Sequence, residues 1–270
     1  MNPNKALWEK GDFTKLAETM RESGSALVSS LGIKAGQKVL DLGCGDGTTA
    51  IPEAKLGAEV LGVDIATNLV EAGKARIIAE KLTNCIIQEG DATDLHFLTD
   101  NQFDWVVSIF GAMFAPKPEL VASEMVRVTK PGGKIIMGNW IPGDPTLVAQ
   151  ILRICSVYTP PPPEGFISPM LWGVEDHIVD RFGKAGISKS NITCEKQSFT
   201  FKADIAPTAF LDRFKSFYGP TMNAFEAAEK NGKAGEMHKE LHALFISQNK
   251  SGNDQTTLIP ATFMKVTVVK

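Results

Sequence analysis

The chain has 270 residues and a mass of 29.2 kDa, enough for one large α/β domain with an insertion and a sizeable core. Hydrophobic residues at 43% against 22% charged, with 24 Gly and 15 Pro, exclude a disordered or collagen-like chain. Lys plus Arg total 28 against 31 Asp plus Glu, and a net charge of −3 with a pI near 5.9 leaves no footprint for gripping nucleic acid.

The opening stretch MNPNKALWEKGDFTKLAETM scatters charge throughout and holds no apolar run that could serve a secretion signal. Residues 1–35 read as an N-terminal helical cap. From Lys38 onward short β-branched runs alternate with helical periodicities. VLDL (39–42), EVLGVD (59–64), CIIQEGD (85–91), FDWVVSIF (103–110) and KIIMGNW (134–140) read as strands, with helices over 48–56, 68–81 and 119–129. Continuous apolar runs are what parallel strands covered by helices on both faces require, so 36–140 reads as a doubly wound core.

After Trp140 the rhythm changes. A helix over 145–158 runs into TPPPPEG (159–165), which neither a helix nor a central strand can cross, because consecutive prolines lack donors and fix φ. That tract reads as a rigid connector within an insertion over 141–190. A polyproline ligand for an aromatic groove is the alternative. A helix over 174–184 follows, then the alternating strand NITCEKQSFTFKA (191–203). Two or three Phe-rich helices over 207–250, interrupted at YGP (218–220), Gly232 and Gly235, form a lid inserted before the closing strand ATFMKVTVVK (261–270). The last unit, 191–270, belongs to the same domain as the core. Cys44, Cys85, Cys155 and Cys194 stand far apart with no C-x-x-C pair, which fits a reducing cytoplasm. No run approaches the roughly 18 apolar residues of a membrane-crossing helix.

The chemistry concentrates in KVLDLGCGDGT (38–48), a strand, a glycine-rich turn and a helix start. Glycine lets the backbone approach a ligand closely, and the helix offers free N–H groups. The dinucleotide fingerprint G-x-G-x-x-G would place a third glycine where Thr48 stands. Asp41 and Asp46 beside the turn would repel a pyrophosphate and welcome a cationic amino acid moiety. The second strand ends in Asp64, placed to accept from two ribose hydroxyls, and the third in Gly90-Asp91-Ala92, placed to meet an adenine edge. Each acid alone could merely cap a helix or shape a turn; three in order along one sheet edge point to a nucleoside.

These motifs resemble the class I S-adenosylmethionine-dependent methyltransferases over roughly 36–140. DLGCGDG matches the family's first motif, LGVD its ribose acid and EGDA its adenine motif. FDWVVSIFGAMF matches the fourth strand, and LVASEMVRVTKPGGKIIMGNW the following helix, P-G-G turn and fifth strand. The branch most similar contains quinone-biosynthesis C-methyltransferases and related bacterial small-molecule enzymes.

The resemblance implies a Rossmann-like, doubly wound, seven-stranded, mostly parallel sheet with an antiparallel last strand and helical lid insertions. It implies S-adenosyl-L-methionine as cofactor and S-adenosyl-L-homocysteine as product. The methionine part would meet the backbone of Gly43, Cys44 and Gly45, with Asp41 supporting its ammonium. Asp64 would hold the ribose, Ile65 would lie beside the adenine, and Asp91 and Ala92 would read its edge. Ser108, Ile109 and Phe110 would line the methyl-donor end. Trp8 and Phe13 would fold over the cofactor, unless Trp8 only packs its helix onto the sheet. The [DNS]-P-P-[FYW] signature of DNA and glutamine N-methyltransferases is absent, since SIFG (108–111) stands there. With the acidic pI this favours a small-molecule acceptor.

A sulfonium carbon is already activated, so alignment and water exclusion suffice for direct in-line displacement, and a base helps only where the acceptor must lose a proton. His177 in WGVEDH is the first candidate base, with Glu175, Tyr158, Tyr218 and His96 behind it; an ordinary surface histidine is the alternative. His238 and His242 in HKELH share the spacing of zinc ligands, but Lys239 replaces the glutamate of the zincin pattern, so no metal is expected. Trp140, Trp172, Phe210, Phe214, Phe217, Tyr218 and Phe225 could wall an apolar acceptor pocket or form a plain core stripe. A nicotinamide-dependent oxidoreductase and a non-catalytic nucleoside-binding module are the competing functions.

Overall fold

The computed structural model describes residues 4–270, so the first three residues of the expected cap lie outside it. Helices α1 (Lys5–Glu9), α2 (Thr14–Ala17) and α3 (Arg21–Leu31) precede the repeating unit β1 (Lys38–Leu42), α4 (Ala50–Lys55), β2 (Glu59–Asp64), α5 (Thr67–Ala79), β3 (Cys85–Glu89). Next come β4 (Phe103–Ile109), α6 (Pro118–Val128), β5 (Thr129–Trp140), α7 (Leu147–Tyr158) and α8 (Glu175–Lys184). The chain ends with β6 (Ile192–Ala203), α9 (Pro207–Phe217), α10 (Gly219–Lys230), α11 (Ala234–Gln248) and β7 (Thr257–Val269). Among the described residues no helix is long and apolar enough to cross a membrane.

The seven strands lie in the order β3-β2-β1-β4-β5-β7-β6, and only β7 runs antiparallel to its neighbours. The parallel centre follows from burial on both faces. Val39, Val107 and Ile136 pack with Ala50, Ile51, Val70 and Ile77 of α4 and α5. Leu40, Leu42, Val106 and Ile135 join Val121, Ala122 and Met125 of α6 on the other face. Each large side chain so buried contributes roughly 1.5–3 kcal/mol relative to exposure. Strand order reverses between β1 and β4, and that reversal opens a crevice at the carboxyl ends of the strands.

Several boundaries move for identifiable reasons. The helix after the glycine turn starts at Ala50 instead of 48, because the Thr49 hydroxyl turns inward and donates to Asp41 Oδ2 at 2.5 Å. The P-G-G segment is drawn into β5, where Gly132 N donates to Lys270 O at 2.7 Å and the pairing with β4 slips between Phe103 and Trp105. The closing strand begins at Thr257 and so includes Pro260. Pro260 faces Thr200, whose N–H and C=O both turn outward to Ser23 Oγ, and β5 pairing with β7 stops at Phe263. A missing donor at 260 therefore costs no ladder bond. The same serine covers the open edge of β6.

The segment over 207–250 forms three helices, and its Pro207 and Pro220 sit in first turns where no donor is needed. Phe210, Leu211, Phe214 and Phe225 are buried among themselves and Phe245, as are Trp140 and Trp172 elsewhere in the core.

Candidate active site at the carboxyl edge of the sheet

At the strand reversal, the turn after β1 is clamped from two sides. Gly43 N and Cys44 N donate to Val63 O at 2.7 and 3.2 Å, and Gly45 N donates to Asp64 Oδ2 at 2.8 Å. Asp64 Oδ1 accepts from Ala66 N at 2.9 Å, so the carboxylate ties β2 to the glycine turn. Gly43 has φ +73°, and a Cβ there would stand 2.7 Å from Gly111 Cα in the turn after β4. Only two glycines permit this approach, and Gly111 was not marked out by the sequence. Gly45 has φ +54°, and a Cβ on it would enter open space, so the turn presents bare backbone to the cavity beside it.

That cavity encloses about 980 Å³, its open mouth included. The turn residues Gly43, Cys44 and Gly45 wall it, with Asp64 and Ile65 after β2, Asp91 and Ala92 after β3, and Ile109 and Phe110 after β4. Asp91 Oδ1 accepts from Thr93 N and Oγ1, each at 2.8 Å. Burial pushes the Asp64 carboxyl up, against the backbone N–H groups of Ala66, Gly45 and Ile65 that favour its charge.

Asp46 corrects the electrostatic expectation. Its carboxylate is 1% exposed and ion-paired to Arg21 Nη2 at 2.9 Å and Arg76 Nη1 at 3.1 Å. Arg76 Nη1 also donates to Asp46 O at 2.6 Å. The acid beside the turn is thus compensated and carries no free negative charge to select among ligands. Beneath the turn lie two acids of another kind. Asp41 is fully buried, its Oδ1 lacks a partner, and burial pushes its carboxyl up to about 7. Glu53 on α4 is also fully buried, neither of its oxygens has a partner, and burial raises it well above the usual carboxylate range. Nothing in the periodicity of α4 signalled a buried glutamate.

The N-terminal segment roofs the cavity. Trp8, Phe13, Ala17 and Met20 line it from above, and Phe114 and Phe199 close the side away from β2 and β3. The Trp8 ring lies 4.9 Å from Phe114 and 5.8 Å from Phe13, both edge-on. The roof is pinned by polar contacts at its margins: Lys5 pairs with Glu89, Lys10 with Glu226 at 2.7 Å, and Glu9 Oε1 accepts from Thr67 N at 3.0 Å. Trp8 thus packs its helix against Phe114 and Phe13 and also lines the cavity.

Residues 40–137 match the family described as a methyltransferase domain. An uncharacterized protein of Mycobacterium tuberculosis is 34% identical over 225 residues, covering 83% of this chain and 80% of that one. The demethylmenaquinone methyltransferase of Paenarthrobacter aurescens is 37% identical over 114 residues, covering 42% of this chain and 43% of its own. A Haemonchus contortus phosphoethanolamine N-methyltransferase 2, solved with S-adenosyl-L-methionine, shares the fold at a TM-score of 0.55 and 21% identity, covering 92% of this chain and 52% of that one. The chain belongs to the class I S-adenosylmethionine-dependent methyltransferases.

S-adenosylmethionine is the cofactor of the family to which this methyltransferase belongs. The residues present suit it: bare backbone at Gly45, a carboxylate at Asp64 with lone pairs left after two inward bonds, and an apolar wall beyond. Two expected contacts are not brought to the cavity. Ser108 is 1% exposed, donates to Leu42 O at 2.6 Å and accepts from Ala112 N at 2.9 Å, so it joins strand ends behind the wall. Asp41 lies under the turn and reaches the cavity only through Thr49.

The structure of the methyltransferase likewise sets the candidate bases elsewhere. His177 and Glu175 are exposed in the first turn of α8, which packs on α6, and neither walls the cavity. His96 is exposed and bonded to Asp94. Tyr158 donates to Glu240. Tyr218 is buried behind Trp8 and Phe13, its ring centre 6.0 Å from each. His238 and His242 sit on α11 with ring centres 6.0 Å apart, beside Phe225.

Proposed function

We propose that this methyltransferase moves the methyl group of S-adenosylmethionine to a small, apolar acceptor by direct in-line displacement. The observation that carries the reading is the shape of the cavity's two halves. Acids and bare backbone lie at the ends of β1, β2 and β3, and an aromatic wall lies on the side of β4 and β6. The first half suits a nucleoside bearing an amino acid, and the second suits a molecule with few polar groups.

In this reading the backbone at Gly43, Cys44 and Gly45 meets the methionine part. Asp64 accepts from the backbone of Gly45 and Ala66 and offers its remaining lone pairs to the ribose hydroxyls. Ile65 lies along the adenine, and Asp91 and Ala92 meet its edge. Ile109 and Phe110 face the methyl end, under Trp8. When bound, the cofactor supplies a methyl carbon activated by its positive sulfur. The protein's part is alignment and exclusion of water, which together account for several kcal/mol of barrier lowering. Residues 1–35 act as cap, 36–140 as cofactor core, 141–190 as an insertion with a proline connector, and 207–250 as a lid whose Tyr218 backs the cap. The four free thiols suit a reducing cytoplasm.

Calorimetry tests this placement. S-adenosylhomocysteine should bind and NAD(P) should not, and a panel of apolar hydroxyl, thiol and carbon acceptors should yield S-adenosylhomocysteine on turnover. Methylation confined to polar amines or to macromolecules would overturn the acceptor reading.

A further inference from the structure

Four histidines and two tyrosines are the chain's usual proton acceptors for such chemistry, and none of them walls the cavity. No lysine, arginine or glutamate among the described residues walls it either. The titratable side chains that do are Cys44, Asp46, Asp64 and Asp91. Burial pushes the Cys44 thiol up, which keeps it neutral. Two arginines hold the Asp46 carboxylate, and backbone N–H groups, those of Gly45 and Ala66 among them, hold that of Asp64. Asp64 and Asp91 follow β2 and β3, on one side of the strand reversal.

The acceptor half lies on the other side. Phe110 and Phe114 follow β4, Phe199 comes from β6 at the far edge of the sheet, and Trp8, Phe13 and Met20 close the roof. Phe110 adopts φ +58°, a left-handed backbone that is unusual for a bulky residue. That geometry lays its ring on Trp140, with centres 3.7 Å apart and planes within 7°. The strained residue thus holds a flat aromatic wall beside the methyl-transfer half.

From this arrangement, and resting on the cofactor placement above, we infer that the acceptor is an aromatic compound that arrives already ionised, of the thiophenol or acidic-phenol kind. Transfer to a neutral O–H or S–H would leave a proton on the acceptor atom, with no basic side chain among the described residues of the aromatic half to take it. Transfer to an anion forms the acceptor–carbon bond from the acceptor's own electron pair, and the carbon–sulfur pair returns to sulfur. Both products are then neutral and no proton is released in the chamber. Beside an apolar aromatic wall the attraction between an anionic acceptor and a sulfonium is also stronger than in bulk water, which favours entry of the ionised form.

The test is a series of thiophenols and phenols of graded acidity, with S-adenosylhomocysteine release followed across pH. The inflection in kcat/KM should move with each acceptor's own ionisation. Separately, rapid mixing of 4-nitrophenol with the protein holding S-adenosylmethionine should show, by the anion's absorbance before turnover, that the ionised form is the one bound. One inflection shared by all acceptors would reveal a protein base and overturn the inference. So would preferential binding of neutral nitrophenol, or turnover of aliphatic amines and alcohols alone. S-adenosylhomocysteine binding, measured by calorimetry on the same samples, separates the two levels: if it is absent, the cofactor placement falls and the acceptor inference with it.

Discussion

Arg21 Nη2 lies 2.9 Å from Asp46 Oδ2, joining the first residue of α3 to the glycine turn that follows β1. Asp46 is buried, and its second oxygen pairs with Arg76 of α5. The turn is thus held by charge from two helices. Replacing Arg21 with Ala leaves a buried carboxylate with one cationic partner, and the turn loses its tie to the N-terminal segment. We expect Arg21→Ala to weaken S-adenosylhomocysteine binding by about 1–3 kcal/mol, the scale of removing a charge-assisted hydrogen bond from a buried acid. Calorimetry that found wild-type affinity would show that the ion pair does not shape the site.

Asp64 ties the glycine turn to the start of α5, and the proposed placement gives it the ribose as well; two substitutions separate the two roles. Asp64→Ala removes the acceptors for Gly45 N and Ala66 N, together with those the proposed placement assigns to the ribose. Asp64→Asn keeps one oxygen and loses the charge. Both variants should bind S-adenosylhomocysteine more weakly, Ala by about 1–3 kcal/mol or more and Asn by less, and only Ala should lower the melting temperature appreciably. Equal affinity in wild type and both variants would remove Asp64 from the ribose.

The sheet centre and the acids at the strand ends that wall the cavity were legible because their signals are local. VLDL, EVLGVD and FDWVVSIF carry their own burial, and Asp64 and Asp91 stand at strand ends that the sequence itself delimits. The aromatic wall of the cavity was not legible, because Phe199 meets Phe110 only after β6 has crossed to the sheet's far edge, a contact between residues distant in sequence. Gly111 looked like any loop glycine until Gly43 was found against it. His177 stands next to acids in the sequence, yet helix spacing says nothing about distance to a site. In the sequence Asp46 stands as a bare charge, because its arginines come from either side, at 21 and 76.

Glu53 and Asp41 make stability depend on pH with a stated sign. Burial raises both above their ordinary values of 4.5 and 3.8, Asp41 to about 7, so the folded protein retains protons that the unfolded chain has released. Their favourable share is therefore complete below about pH 4 and is lost as pH rises towards 7. Glu53→Met fills a similar volume without a carboxyl, and should raise stability by about 1–3 kcal/mol at about pH 8 and by less at about pH 5. Urea melts at the two pH values check this. A gain that was larger at acid pH would mean that the buried glutamate is ionised and stabilised in the fold.

The cap depends on close backbone packing against the turn between α9 and α10. A Cβ on Gly219 would stand 2.2 Å from Leu7 O, and one on Gly11 would stand 2.6 Å from Phe217 O. Gly219→Ala therefore forces the carbonyl of Leu7 away, and with it the helix that carries Trp8. The sheet core is untouched by this displacement, so the melting temperature should move less than binding does. A shift of about 1–2 kcal/mol in roof closure corresponds to a roughly 5–30-fold loss of S-adenosylhomocysteine affinity. Trp8 supplies a direct readout, because it is half-buried whereas Trp105, Trp140 and Trp172 are buried. Quenching of tryptophan fluorescence by a soluble quencher should increase in Gly219→Ala, and bound S-adenosylhomocysteine should protect the wild type more than the variant. Unchanged quenching together with unchanged affinity would show that the cap finds its place without this close approach.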